Sequence, residues 1–280
     1  MPATVPSFLA AQLTRVLPRR TIGRFVGDLC EARLHPTVSR AVVKAYCKAY
    51  RVDLSEVEHR DDPYESFDQF FTRCLRCGCR ESTAPADDVV SPADGKVQSI
   101  GPVEAGARIV VKGRPYDLAK LIGDERDARA YVGGQYAVVY LSPRDYHRVH
   151  APVDGAVALV RSLPGDYYPV NSVGERWVRN LLVANRRVAI VQQNPVLGPV
   201  TTVLVAAMVV GRITTTMVAG RDVPLGTHAV EPPYAVRRGD ELGAFHLGST
   251  AVVITGPHAS AWQRAPGLIR VGESLVRSAG

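Results

Sequence analysis

The chain has 280 residues, of which 46% are hydrophobic and 22% charged, so it is long and apolar enough to bury a substantial core. A net charge of +7 favours an anionic partner, and no Lys/Arg run with interleaved aromatic residues is present, so we expect a membrane surface and no nucleic acid. No apolar run reaches the roughly 18 residues that cross a bilayer, and the N-terminus has no secretory signal pattern, so we expect a cytoplasmic-side location.

Residues 1–85 have the pattern of a helical region. Apolar residues recur at helical spacing over 8–17, beside several arginines, and Pro18 ends or kinks that first helix. Two further helices are predicted over 37–50 and 66–75. A basic amphipathic helix can lie in a membrane interface, but it can also pack on its own domain, and the pattern leaves both interpretations open.

Five cysteines lie within this region, at 30, 47, 74, 77 and 79. An odd, scattered set in a chain without a signal sequence argues against a disulfide framework. The trio at 74–79 is not followed by a second cysteine or histidine pair at zinc-ligand spacing. We therefore expect reduced thiols and no metal site.

From Val89 onward, short β-branched runs alternate with Gly/Pro turns. Strands are predicted over the runs 136–141, 156–160, 188–192, 200–210 and 251–254, with one helix over 116–122. The junction lies at 84–88. The chain is therefore predicted to be α+β, with a helical, membrane-associating region over 1–85 and a β-rich barrel or sandwich domain over 86–280.

One internal repeat stands out in the β-rich part. Residues 91–97 and 151–157 both place Pro-x-Asp-Gly shortly before a valine. Two similar tight turns explain this pattern, because Pro, Asp and Gly each suit turn geometry. A duplicated β unit is the more specific interpretation.

Three segments carry residues that can do chemistry. Asp94 lies in the first repeat, His147 and His150 lie just before the second, and Ser249 follows Gly248 at the start of an apolar strand. Together they supply the parts that activate a serine, because a carboxylate can orient an imidazole that takes the hydroxyl proton. The Gly-x-Ser-x-Gly pattern of many hydrolases is absent around this serine.

These segments resemble the signature segments of phosphatidylserine decarboxylases in order and approximate spacing. The three are Pro-Ala-Asp-Gly at 92–95, Tyr-His-Arg-Val-His at 146–150 and Leu-Gly-Ser-Thr at 247–250. The similarity extends to residues 66–73, 140–145, 164–166 and 170–171, so it covers nearly the whole chain and is typical of the longer bacterial-type members.

The resemblance implies a role for each matching residue. Ser249 would attack the Gly248 carbonyl, cut the chain into a β chain of residues 1–248 and an α chain of 249–280, and become a pyruvoyl group. His150, oriented by Asp94, would be the base for this step. His147 would protonate the substrate carbon during later turnover.

The implied reaction converts phosphatidylserine to phosphatidylethanolamine and CO2 through a Schiff base on the pyruvoyl group. Such a carbonyl accepts the electrons of the breaking bond. The implied partners are an anionic membrane surface, bound peripherally on its cytoplasmic face, and the associated α and β chains. A homodimer is left open.

Two other classes of function are left open by the residues alone. The Pro-x-Asp-Gly turns, with Lys96 directly after the first, are similar to lipoyl- or biotin-bearing modules, in which Lys96 would be modified and Ser249 inert. A plain serine hydrolase is the second alternative. Arginines 114, 144 and 148 suit a lipid phosphate, although a structural ion pair is the preferred interpretation for each.

Overall fold

The computed structural model describes residues 19–170, 172–207 and 212–277. Its helices are α1 (Arg19–Glu31), α2 (Pro36–Tyr50), α3 (Phe67–Phe71), α4 (Leu118–Ile122), α5 (Glu125–Arg129), α6 (Ser172–Trp177) and α7 (Leu181–Ala184). Its strands are β1 (Gly95–Pro102), β2 (Arg108–Val111), β3 (Arg114–Asp117), β4 (Gln135–Leu141), β5 (Arg148–His150), β6 (Gly155–Leu163), β7 (Arg187–Asn194), β8 (Gly198–Ala206), β9 (Arg212–Thr215), β10 (Gly226–Val236), β11 (Glu241–His246), β12 (Ser249–Thr255) and β13 (Gly267–Ile269). The predicted α+β class is confirmed.

Strand β12 lies in the middle of a large antiparallel sheet. Eight strands form this sheet in the order β10-β6-β7-β8-β12-β4-β1-β13, and a smaller sheet has the order β5-β11-β9. A hairpin of β2 and β3 stands apart. Among the described strands, the two ends of the large sheet do not pair, so the predicted barrel does not close.

The central strands are continuous apolar runs because both faces of the large sheet are covered. Val139 and Val253 face one core cluster, which also contains Val149 and Phe245 of the small sheet. Val138, on the opposite face of β4, packs in a second cluster with helices α4 and α5. The molecule therefore has three layers, with the large sheet in the middle.

The predicted strands over 136–141, 156–160, 188–192 and 251–254 are confirmed as β4, β6, β7 and β12. The run 200–210 is confirmed up to Ala206, the end of β8, and residues 208–210 are outside the described residues. The helix predicted over 116–122 begins too early, because Tyr116 belongs to β3 and pairs with Ile109. The helix predicted over 66–75 is limited to α3, and the one over 8–17 lies outside the described residues.

The Pro-x-Asp-Gly repeat forms two equivalent strand starts that hydrogen-bond to each other. The Val90 N–H donates to the Pro152 carbonyl at 3.0 Å, and the His150 N–H donates to the Pro92 carbonyl at 2.8 Å. The two bonds are reciprocal, because each joins the residue two positions before the proline in one repeat to the proline of the other repeat. The repeats are therefore related by an approximate twofold arrangement.

The aspartate of each repeat is also hydrogen-bonded to a turn with the sequence pattern Arg-x-Gly-Glu or Arg-x-Gly-Asp. The Asp94 carboxylate accepts the Val271 N–H at 2.8 Å, and the Asp154 carboxylate accepts the Arg238 N–H at 2.7 Å. The turns themselves are residues 270–273 and 237–240. In both repeats the aspartate thus fixes a neighbouring turn by the same backbone contact.

The helical region packs on the β-rich part through an aromatic cluster and ion pairs. Tyr46 of α2 packs against the rings of α3, and its hydroxyl donates to the Pro143 carbonyl of the β-rich part at 2.9 Å. Arg212 of β9 pairs with Glu31 of α1 and, at 3.5 Å, with Asp68 of α3. None of the described helices combines the length and apolar character needed to cross a bilayer.

Candidate active site

Ser249 lies where the chain passes from the small sheet to the large one. Strand β11 belongs to the small sheet, whereas Ser249 opens β12 and pairs with Leu141 on one side and Ala206 on the other. The serine is fully buried, and its Oγ has no hydrogen-bond partner among the described residues. A buried hydroxyl without a partner is unusual in a stable core and is typical of a functional group.

The backbone just before this serine is strained. Leu247 has a φ of 93°, a left-handed conformation that costs a non-glycine residue about 1–3 kcal/mol. The sequence pattern places the conformational freedom at Gly248, whereas the positive φ lies one residue earlier. The strain therefore sits next to the Gly248–Ser249 peptide bond.

His147 is completely buried, and its imidazole is positioned by a hydrogen bond and by a ring contact. Its Nδ1 lies 2.8 Å from the Asp145 carbonyl oxygen, so Nδ1–H donates there, and the Phe71 ring packs on it at 4.1 Å between centroids. Burial lowers the pKa of His147 to about 3 against the opposing effect of the Asp145 bond. The imidazole is therefore neutral, with a bare lone pair on an Nε2 that has no partner among the described residues.

The segment that carries His147 contacts both sides of the sheet crossing. Leu141, at its start, pairs with Ser249, and the His147 carbonyl accepts the Phe245 N–H at 3.0 Å. The Asp145 carboxylate closes the intervening turn by accepting the Ser142 N–H at 2.7 Å. Backbone pairing thus fixes residues 141–147 against residues 245–249.

His150 is held by different groups. Its Nδ1 lies 2.7 Å from the Gly239 carbonyl, and its Nε2 lies 3.1 Å from the Tyr146 hydroxyl. Burial raises the pKa of Tyr146, so this hydroxyl stays protonated and donates to Nε2. Burial also lowers the pKa of His150, while the Gly239 bond and the charges of Glu241 and Asp94 act in the opposite direction.

Asp94 is not hydrogen-bonded to His150 in the described structure. Its carboxylate binds the Arg80 guanidinium at 2.6–3.1 Å and also accepts the Val271 N–H. Asp94 acts on His150 through space, because its negative charge favours the imidazolium. The orientation of the ring comes from Gly239 and Tyr146 instead.

The sequence pattern did not point to Arg80 or Gly239. Each belongs to a loop distant in sequence from the motif that it supports, and a lone arginine or glycine has no chemical signature. Tyr146 could have been identified from the sequence, since it precedes His147 in the signature segment.

Two of the three arginines considered for a lipid phosphate have structural partners. Arg114 donates to backbone carbonyls of residues 175–178, and Arg148 pairs with Glu241 at 2.7 Å. Arg144 has only a distant carboxylate, Asp145, with 3.7 Å between Nε and Oδ1. Of the three, Arg144 is therefore the one whose guanidinium N–H groups can bind a ligand phosphate.

Lys96 lies within β1 and is paired on both sides, to Leu268 and Tyr140. A carrier lysine is best placed on a free turn, where its attached group can reach other enzymes. The position of Lys96 therefore disfavours the carrier interpretation.

A buried, unpartnered serine at a strained sheet crossing, on backbone paired with the segment that carries His147, is the arrangement expected of an enzyme that uses an activated serine. Comparison with known proteins makes this specific. The model of the family "Phosphatidylserine decarboxylase" matches residues 67–277. The chain belongs to the phosphatidylserine decarboxylase family.

Similar relatives cover almost the full length of the chain. A phosphatidylserine decarboxylase proenzyme of Anaeromyxobacter sp. (strain K) is 41% identical over 93% of this chain and 95% of its own. The proenzyme of Bordetella avium (strain 197N) is 36% identical over 96% and 94%, respectively. That of Pseudoalteromonas translucida (strain TAC 125) is 37% identical over 86% of both chains. The helical residues before the family match are therefore also shared with relatives.

Proposed function

We propose that this chain decarboxylates phosphatidylserine to phosphatidylethanolamine after cutting its own backbone between Gly248 and Ser249. The observation that carries the proposal is the buried, unpartnered Ser249 hydroxyl next to the strained Leu247. Attack of Oγ on the Gly248 carbonyl moves the acyl group from nitrogen to oxygen and gives the hydroxyl proton to an imidazole. Removal of the Ser249 α-proton and cleavage of its Cβ–O bond then release residues 1–248 with a C-terminal carboxylate. The dehydroalanine left at the start of 249–280 takes up water and loses ammonia to become the pyruvoyl group.

The residues around Ser249 fit a pyruvoyl group formed from it. The serine supplies the carbon atoms, and the site is closed to solvent, with Ser249 and His147 both fully buried. When formed, such a group supplies a carbonyl that accepts the electrons released with CO2. The unpartnered Nε2 of His147 supports a role in moving a proton to or from this place.

The two histidines support a division of roles. Burial lowers the pKa of His150, and the charges of Glu241 and Asp94 oppose that shift, which suits a neutral base that takes the serine proton. Burial, with a smaller contribution from the Arg73 charge, lowers the pKa of His147, so Nε2 must first take up a proton, which it then releases readily as a strong acid. We assign His150 with Asp94 to chain cleavage and His147 to protonation of the substrate carbon.

Intact mass and activity of the purified full chain test the proposal. Wild-type protein is expected as two chains, the smaller one blocked to N-terminal sequencing and reactive with a carbonyl probe, and to release CO2 from phosphatidylserine. Ser249→Ala is expected to stay uncut and inactive. The matched control is Ser162→Ala, since Ser162 is also buried in the large sheet but bonds the Val223 carbonyl.

The alternatives give different results in the same experiment. A carrier module would show one chain with a mass adduct on Lys96, and a plain hydrolase would show one unmodified chain. An uncut wild-type chain that still decarboxylates the lipid would contradict the cofactor assignment.

We further propose that the protein binds the anionic cytoplasmic face of the membrane peripherally. Helix α2 supports this, because its surface has three sectors and only one of them faces the protein core. A basic sector contains Arg40, Lys44 and Lys48, all exposed and four residues apart. Beside it, Val38 and Val42 are 47% and 38% exposed.

Helix α1 adds Phe25 and Leu29, which are 69% and 60% exposed. Exposed apolar side chains next to basic ones are the pattern of a helix that lies in a membrane interface. This surface would bring the site to its lipid.

A further inference from the structure

Arg73 is a buried cation without a matching anion. The residue is only 4% exposed, and its hydrogen-bond partners are two backbone carbonyls, of Arg144 at 3.2 Å and Asp145 at 3.4 Å. Its guanidinium also lies over the Phe70 ring, 5.3 Å from the centroid. Both bonds use Nη2, so Nε and Nη1 have no partner among the described residues. Burying a charge this incompletely satisfied is costly, so the site is built for a negatively charged ligand.

The Arg73 side chain lines a cavity of about 310 Å³ that opens to the surface. Four more arginines line it, at positions 51, 80, 144 and 270. Arg80 and Arg270 are paired with carboxylates at 2.6–2.9 Å. Arg144 has only Asp145 at 3.7 Å, so it can face a ligand together with Arg51 and Arg73.

The carboxylates on the same wall are already engaged. Their partners are the Ser55 N–H for Asp53, Arg80 and Arg270 for Glu56, Arg80 for Asp94, Ser142 for Asp145, and Arg264 for Glu273. The wall carries five arginines and five carboxylates, so its formal charge balances. What it offers an anion is the set of guanidinium N–H donors of Arg73 that the carboxylates leave unused.

Arg73 is also a neighbour of His147. Both side chains donate to the same acceptor, the Asp145 carbonyl oxygen, at 3.4 Å from Arg73 Nη2 and 2.8 Å from His147 Nδ1. The two nitrogens cannot be further apart than these distances combined. An anion on Arg73 would therefore lie close to the proposed proton donor.

Phosphatidylserine has two anionic groups, a carboxylate and a phosphodiester, and the reaction chemistry decides which of them fits beside Arg73. A cation against the carboxylate that leaves as CO2 would stabilise the ground state more than the transition state and slow the reaction. The phosphodiester keeps its charge throughout, and only a Cβ–O linkage separates its phosphorus from the reacting carbon. Guanidinium groups also match phosphate oxygens well.

We propose that Arg73, assisted by Arg144, binds the phosphodiester of the serine phospholipid; this inference rests on the proposed decarboxylase function. The site positions the headgroup so that its α-carbon faces His147, while the carboxylate points away from the guanidinium. Such a contact is equally strong in the substrate complex and in the transition state, because the phosphodiester charge does not change. Its loss must therefore appear in KM rather than in kcat.

Kinetics on mature enzyme test this split. Arg73→Met is expected to be cut normally, to raise KM for phosphatidylserine by about tenfold or more, and to keep kcat within about threefold. Arg73→Lys keeps the charge, and its KM is expected to lie between those of the wild type and Arg73→Met. Arg76→Met, which removes an exposed arginine three residues away, is the matched control. An unchanged KM, or a loss confined to kcat, would overturn the proposal.

Binding to the uncut Ser249→Ala chain tests the site without any decarboxylation, and so separates it from the proposed function. Glycerophosphoserine and glycerophosphoethanolamine are expected to bind and to lose their affinity in the Ser249→Ala/Arg73→Met chain, whereas free serine does not bind. Inorganic phosphate that binds as tightly as both diesters would overturn the lipid assignment. Arg73-dependent binding of serine alone would show a carboxylate site and also overturn it.

Discussion

The N–H of His150 donates to the carbonyl of Pro92 at 2.8 Å, so the segment with the two histidines is anchored on the motif that contains Asp94. The reciprocal bond from Val90 to Pro152 closes the contact from the other side. Both are backbone bonds, so the strand starts, rather than the catalytic side chains, set the geometry. A change in either strand start should therefore disturb the site.

The glycine of each repeat is the most sensitive position in this contact. A Cβ on Gly95 would lie 2.2 Å from the Tyr140 carbonyl oxygen, and one on Gly155 would lie 2.2 Å from that of Gln193. These oxygens belong to paired strands and cannot move aside. We expect Gly95→Ala and Gly155→Ala each to lower the free energy of unfolding by about 3 kcal/mol in the uncut Ser249→Ala background, measured by urea unfolding.

Gly267→Ala is the matched control. Gly267 lies in β13 and pairs with Val97 of the same sheet, and a Cβ added to it would have no neighbouring atom within 4 Å among the described residues. We expect a change within about 0.5 kcal/mol. Equal losses in all three variants would mean that glycine flexibility, rather than the close approach, controls stability.

The central strands could be predicted because they are buried on both faces and read as unbroken apolar runs. Strand β10 could not, since it lies at the edge of the large sheet, is mostly exposed and contains Pro232 and Pro233. Proline is tolerated at a sheet edge but is a turn signal in sequence. Its register also shifts between Ala229 and Tyr234.

The start of helix α4 is marked in the sequence by a capping residue, although the apolar periodicity extends one residue before it. Tyr116 fits a helical apolar pattern, yet Asp117 accepts the Lys120 N–H and caps the helix, so the helix begins after it. In the site, motif spacing brought Asp94, His147, His150 and Ser249 into consideration. The ring partners could not be predicted, because they depend on which distant loops the fold brings together.

The buried neutral state of His147 should make stability depend on pH. Its pKa of about 3 in the folded chain is below the ordinary 6.5, so the unfolded chain takes up a proton first as the pH falls. The stabilisation is complete above 6.5 and is lost between 6.5 and 3, at about 1.4 kcal/mol per pH unit. We expect His147→Gln, in the Ser249→Ala background, to flatten this part of the curve, measured by urea unfolding between about pH 7 and pH 4.

His59→Gln serves as the control for that experiment, since the His59 side chain is 87% exposed. It should leave the slope unchanged. A His147→Gln curve as steep as that of the parent would show that other groups cause the acid sensitivity.

The basic sector of α2 should control membrane affinity. Replacing Arg40, Lys44 and Lys48 with glutamine removes three positive charges, each worth about 1 kcal/mol near an anionic surface. We expect roughly a hundredfold weaker binding to anionic vesicles at low salt, measured by sedimentation, and little change in chain cleavage. Added salt should reduce the difference because it screens these charges.

A triple variant of Lys120, Arg126 and Arg129 to glutamine is the charge-matched control, since these residues are exposed on α4 and α5. It should bind vesicles almost as the wild type does. Equal losses in the two triple variants would indicate that net charge, and not the α2 surface, attracts the membrane.

The division of roles between the histidines is testable on single preparations. Burial lowers the pKa of both histidines, but the negative charges of Glu241 and Asp94 oppose this at His150, whereas the positive charge of Arg73 adds to it at His147. We expect His150→Ala to accumulate the uncut chain. Asp94→Asn keeps the size of the side chain but removes its charge, and should slow cleavage in the same direction.

His147→Ala, by contrast, should be cut at least in part and carry the carbonyl group, yet release CO2 from phosphatidylserine at least about a hundredfold more slowly. The measurements are a denaturing gel for the two chains, a carbonyl-reactive probe and CO2 release. If His147→Ala were as fully uncut as His150→Ala, both imidazoles would belong to chain cleavage, consistent with the bare Nε2 of His147 acting on the serine. If His150→Ala were cut normally, Ser249 would need another base, and the role of Asp94 would be limited to holding Arg80 and the turn at Val271.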